Sequence, residues 1–251
     1  MIPYGRQDIT QHDMDAVVDV IKSDFLTQGP QVPNFEAAMA AVADAKFALA
    51  VNSATSALHL ACLSLGVSRG DLVWTTAITF VASANCALYC GADVDFIDID
   101  PQTFNISVDC LAAKLESAVS NNDNLPKVVV VVHMCGQPCD MERIFELSNN
   151  YGFKIIEDAS HAIGSKYKGQ PTGNCAFSDI TIFSFHPVKI ITTAEGGLAT
   201  TNSKKIAEKM QIYRSHGVTR NEELMNKVSE GGWYYQQVDL GFNYRMTELQ
   251  A

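Results

Sequence analysis

The sequence predicts an α/β fold with a mostly parallel sheet, and three observations lead there. Short apolar runs alternate with helical patterns of ten or more residues along the chain. One run, Lys127 to Met134 (KVVVVVHM), is continuously β-branched, as a parallel strand buried on both faces is. Glycines close several helical patterns, at Gly66, Gly152 and Gly217.

The elements follow in order. Thr10-Gln-His-Asp13 resembles a capping box, and Ala16, Val17, Val20 and Ile21 recur at helical spacing up to about Ser23. Asp24 to Pro33 is a loop marked by Gly29, Pro30 and Pro33. A second helix is expected from about Asn34 to Ala43, then a strand over 47–53. Ser53 starts a helix that runs to Gly66. Residues 71–76 read as a strand and 80–91 as a helix. VDFIDID (94–100) alternates like a half-exposed strand, and 108–118 is helical. After KVVVVVHM come a helix (141–152), strands at 153–160, 178–185 and 196–201, and a helix over 203–217. Residues 222–232 are a polar loop, and a last helix is expected from Thr247.

At 251 residues the chain has room for one large domain, or one and a part. A net charge of −10 without a run of Lys or Arg argues against nucleic acid and anionic membranes as partners. MIPYGRQDIT has neither a basic nor an apolar signal-peptide region, and no apolar run approaches the ~18 residues of a membrane span. Seven dispersed cysteines suggest reduced thiols in the cytoplasm, and no metal site is expected from their spacing.

Ligands of open α/β sheets bind at the carboxyl ends of the strands. Asp158, the Ser53–Ser56 turn, Ser184 and Lys189 fall there. Each also has a plainer reading. SATS can be only a helix cap, Asp158 only the cap of the next turn, and Lys189 a surface lysine. His161 and His186, taken singly, can be structural. A Ser184–His186–Asp158 hydrolase triad is disfavoured because no GxSxG elbow accompanies the serine. Lys189 stands among Pro187, Val188, Ile190 and Ile191, where a desolvated amine would have a lowered pKa and react with carbonyls. A lysine, a carboxylate at a strand end and a hydroxyl-rich helix start together are what pyridoxal phosphate requires.

IPYGRQDI, FLTQGPQV, NSATSALHLA, TTAITFVASANCALYCGA, EDASHAIGS, FSFHPVKIITTAEGG, RSHG and LGFNYRMTELQA, in that order, resemble the DegT/DnrJ/EryC1/StrS family of sugar-nucleotide aminotransferases along the whole chain. The resemblance implies the aspartate aminotransferase type of fold (fold type I) and pyridoxal phosphate as cofactor. It gives Lys189 the place of the cofactor-bearing lysine and catalytic base. It places Asp158 at the pyridine nitrogen, His161 near the ring substituents and Phe80 stacked on the ring. Ala54, Thr55 and Ser184 hold the phosphate, and Asn243 reaches it from the partner subunit of a homodimer. Tyr4 and the loop residues Asp24, Phe25, Leu26 and Thr27 match sugar-nucleotide-contacting positions.

L-Glutamate is the implied amino donor in a ping-pong reaction. EDASHAIGS and KIITTAEGG look most like the branch that aminates UDP-4-keto-6-deoxy-L-AltNAc in pseudaminic acid synthesis. The lysine argues against the family's dehydratases, which carry histidine in its place. The family runs on beyond ELQA into a smaller C-terminal domain, so residues 1–251 are expected to be the cofactor-binding large domain with an N-terminal arm. Two other readings stay open: an aminotransferase for another nucleotide keto-sugar (3-keto or dTDP-linked), or a catalytically silent fragment.

Overall fold

The computed structural model describes residues 5–251. Seven α-helices are found there: α1 (Gln11–Lys22), α2 (Gln31–Ala43), α3 (Ala54–Ser64), α4 (Ala82–Tyr89), α5 (Val108–Asn121), α6 (Met141–Tyr151) and α7 (Lys204–Arg214). The strands are β1 (Phe47–Val51), β2 (Leu72–Thr76), β3 (Asp93–Ile97), β4 (Val128–Val132), β5 (Lys154–Asp158), β6 (Lys166–Tyr167), β7 (Gln170–Pro171), β8 (Ile180–Ser184), β9 (Gly197–Thr201), β10 (Val218–Thr219) and β11 (Gln236–Gln237). The central sheet has seven strands in the order β1-β9-β8-β5-β4-β2-β3. Only β9 runs against its neighbours. The expected mostly parallel sheet is therefore present.

Side chains alternate across a strand, so each strand feeds both faces. Val128 and Val130 of β4 pack with α3, α4 and α7, whereas Val129 and Val131 pack with α5 and α6. All five residues of β4 are buried, which is why the run is apolar without alternation. Ala50, Phe183 and Leu198 join Met39 and Ala43 of α2 in a third cluster. The result is three layers, helices over both faces of one sheet.

Helix boundaries depart from expectation where non-local partners act. α1 begins as read: Thr10 accepts from the Asp13 amide and Asp13 accepts from the Thr10 amide. α2 begins at Gln31, three residues before the expected Asn34. Pro33 is tolerated in the first turn, where an amide would have no intrahelical acceptor. The Gln31 amide is capped from far along the chain, by Glu248 Oε2 at 2.5 Å. Of the strand expected over 94–100, residues up to Ile97 pair with β2 and Ile99 forms an isolated bridge to Ile106. The helix expected from Thr247 is a single turn, closed by Ala251 N–H to Thr247 O at 3.1 Å.

Candidate active site

The alternation that builds the core also aims the site. On β5, Ile156 faces α3 and α4, so Asp158 two residues on faces the same way. Ser184 shares its face with Ile180 and Ile182, and Gly197 shares its face with Ala199. All three lie at one end of the sheet, beside the N-termini of α3 and α4. Glu157 has the opposite parity. It is bound from the other face by His133 Nε2 at 2.7 Å and by the Ser178 and Thr181 hydroxyls. His133 Nδ1 accepts the Cys139 amide, which leaves Nε2 to donate to Glu157.

Asp158 is 5% exposed. Its Oδ1 accepts Ser160 N–H at 3.2 Å and Ser160 O–H at 2.6 Å; its Oδ2 accepts Ser83 O–H at 2.7 Å. Every one of these donors is neutral. Among the described residues, Asp158 forms no ion pair. A buried carboxylate without a cation is expensive unless something positive is brought to it.

Lys189 stands in the turn between β8 and β9. The Lys189 amide bonds to His186 O at 2.9 Å, while Thr193 N–H and Thr192 O–H both reach Phe185 O. Its burial is intermediate, and burial lowers its pKa from the ordinary 10.5, opposed by the Asp158 carboxylate. The cause differs from the expected one. Val188, Ile190 and Ile191 are exposed by 52%, 70% and 48%, so its apolar sequence neighbours do not desolvate the amine. The surrounding fold does. His161 also has a lowered pKa, through burial first and then the Lys189 charge, with Asp158 opposing. Lys189, Asp158 and His161 thus influence one another electrostatically.

The N-terminus of α3 closes the site. Ser53 caps it, accepting the Ser56 amide at 3.1 Å, and Ser56 in turn donates to Asn52 Oδ1. Ala54 and Thr55 lie in the first turn, whose amides have no intrahelical acceptor and face anions well. Gly197 is packed against this turn so closely that a Cβ would lie 2.4 Å from the Ala54 nitrogen. Ser184 is buried on the neighbouring strand. The residues present therefore fit pyridoxal phosphate: donors for a phosphate, a buried carboxylate without an ion pair for a ring cation, and a half-buried amine within the field of that carboxylate.

The other expected positions are less gathered. Phe80 precedes α4 and is 72% exposed, free to cover a ring. Asn243 lies in this same chain beside Asn52, whose Nδ2 reaches Asn243 O at 3.4 Å. Asp24, Phe25, Leu26 and Thr27 are exposed in the loop before α2. Tyr4 lies outside the described residues. Sequence reading missed Ser83, Ser160, Gly197 and Glu248. Asp-x-Ser, an Asx-turn pattern, could have flagged Ser160. The other three are defined by long-range contacts and leave no local signal. Among the described residues, no group of three or more His, Cys, Asp or Glu is placed to hold a metal ion, and no helix is long and apolar enough to cross a membrane.

Comparison with known proteins agrees with this geometry. A Campylobacter jejuni protein named UDP-4-amino-4,6-dideoxy-N-acetyl-beta-L-altrosamine transaminase is 41% identical over 249 residues, covering 99% of this chain and 62% of its own. The solved structure of Helicobacter pylori PseC, an aminotransferase involved in pseudoaminic acid biosynthesis, superposes with a TM-score of 0.87 at 32% identity. It covers 99% of this chain and 62% of that one. The PLP-form of the Streptococcus pneumoniae putative sugar aminotransferase Spr1654 gives a TM-score of 0.84 at 32% identity, over 99% of this chain and 64% of that one. The chain thus spans under two thirds of the length of these relatives. The model of the DegT/DnrJ/EryC1/StrS aminotransferase family matches residues 7–251, and to that family the chain belongs.

Proposed function

We propose that residues 1–251 form the cofactor-binding large domain of a pyridoxal phosphate-dependent transaminase. It moves an amino group from L-glutamate to the keto carbon of a nucleotide sugar, of the UDP-4-keto-6-deoxy-L-AltNAc type. One observation carries this reading. A buried carboxylate with only neutral donors, Asp158, shares a sheet end with a half-buried lysine of lowered pKa. The name of the 41% identical Campylobacter relative supports the choice of sugar.

Pyridoxal phosphate, when bound, supplies a carbonyl carbon that accepts amino groups and a ring that withdraws electrons. The chain's own residues do the rest. Asp158 keeps a ring nitrogen protonated. The α3 N-terminus and Ser184 hold the phosphate and so fix the ring's position. Lys189 Nζ takes a proton as a neutral amine and returns it as an ammonium, the role that a lowered pKa suits. His161, lowered as well, is a neutral donor or acceptor beside it. A second copy of the chain belongs to this reading. Ile78, Phe80, Val81 and Ile190 are exposed around the site, and such apolar rims suit a partner subunit. Seven free cysteines suit the cytoplasm.

The test is to incubate the chain with pyridoxal phosphate, L-glutamate and a panel of keto-sugar nucleotides, and to measure 2-oxoglutarate and the aminated sugar. The UDP-4-keto-6-deoxy sugar should give both in equal amounts. A preference for a 3-keto or dTDP-linked sugar would overturn the substrate, and no product from any keto-sugar would overturn the activity.

A further inference from the structure

Asp158 needs more than burial to serve a ring nitrogen. The torsion that orients an aspartate carboxylate is broad, so the group must be fixed by its hydrogen bonds. Ser160 holds only Oδ1. Oδ2 is held by Ser83, which is fully buried on the first turn of α4. An ionised carboxylate has no proton to give, so the Ser83 hydroxyl proton is committed to Oδ2. The 2.9 Å contact between Ser83 Oγ and Thr79 Oγ1 must then be donated by Thr79. The result is a one-way chain of hydroxyls, Thr79 to Ser83 to Asp158, that starts next to Phe80.

The chemical type of the residue matters. A lysine or arginine at this place would fix the carboxylate and also neutralise it. A serine fixes it and leaves its charge available.

We propose that Ser83 is a positioning residue for Asp158, orienting its carboxylate toward a cationic ring nitrogen without cancelling its charge. This rests on the reading of the site as a pyridoxal phosphate site. Thr79 supports Ser83 from behind. Ser83→Ala leaves Oδ2 without its donor and lets the carboxylate rotate about the Ser160 pair. The loss falls on the interaction with the ring nitrogen and spares the phosphate and carbonyl ends of the cofactor.

The experiment compares binding of pyridoxal phosphate with binding of its analogue in which C–H replaces the ring nitrogen. Dissociation constants are measured for the unaltered chain, Ser83→Ala and Ser83→Thr, with a thermal melt of each. Ser83→Ala should bind pyridoxal phosphate about tenfold more weakly, the scale of one hydrogen bond to a charged group, while binding the analogue as the unaltered chain does. Ser83→Thr should restore the affinity. Equal weakening toward both compounds would show a merely structural serine, and unchanged affinity for both would show no role; either overturns the proposal. An unaltered, folded chain that binds neither compound would overturn the cofactor reading itself and the proposal with it.

Discussion

An amine in water is protonated at neutral pH, so a lysine can act as a base only where its surroundings disfavour the charge. Lys189 is in such surroundings; the lowered pKa expected from the sequence is present, but its cause is different. Its apolar neighbours along the chain face solvent. The turn between β8 and β9 instead folds the amine toward the sheet end, where burial lowers its pKa. The sign of the pH effect follows. The base is the neutral amine, so a proton-transfer step limited by Lys189 should speed up as pH rises through its pKa and then level off. Because that pKa is lowered, the levelling should come below the ordinary 10.5. Rapid-mixing absorbance of the cofactor-loaded chain with glutamate, followed across pH, reads it; a limb still rising beyond the ordinary lysine value would contradict it. Asp158 was equally legible, as an acid at the end of an apolar strand. Ser83 was not, because one serine in a helical stretch looks like any other until the fold sets it against a strand 75 residues away.

At the scale of elements, local pattern found the strands and helices, and distant contacts set their ends. α2 shows this best. Nothing near Gln31 marks a helix start, because the cap is Glu248, 217 residues along the chain. The Glu248 amide also bonds to Leu26 O at 3.0 Å, tying the Asp24–Thr27 loop to the same anchor. Glu248 is 1% exposed and its Oε1 is buried without a partner, a cost that limits the net gain. Glu248→Ala should therefore lower unfolding free energy by about 1 kcal/mol, as loss of an ordinary N-cap does, and Glu248→Gln should recover most of it. Denaturant unfolding of the two variants checks this, and an unchanged midpoint for the alanine variant would show that Glu248 does not stabilise α2. α1 shows the opposite limit. Its helical period was plain in the sequence, yet only Val20 is buried, while Met14, Val17, Val18 and Ile21 are exposed. Periodicity predicts a helix and its apolar side; it does not name what that side meets.

At the scale of the molecule, the order of strands was beyond sequence reading, since pairing joins residues far apart. The antiparallel β9 between β1 and β8 is the clearest case. It brings Gly197 against the first turn of α3, where no side chain would fit. The sheet's alternation then sorts two adjacent acids to opposite faces. Glu157 is spent on a buried network with His133, and Asp158 is kept for the site.

The residues at this end of the sheet converge on pyridoxal phosphate held by Lys189. The most direct measurement is the visible absorption spectrum of the chain with added pyridoxal phosphate, before and after L-glutamate, repeated on Lys189→Ala. The unaltered chain should show a visible band that glutamate bleaches, and the variant should show neither feature. A folded, unaltered chain without the band, or a variant that keeps both the band and its bleaching, would contradict it.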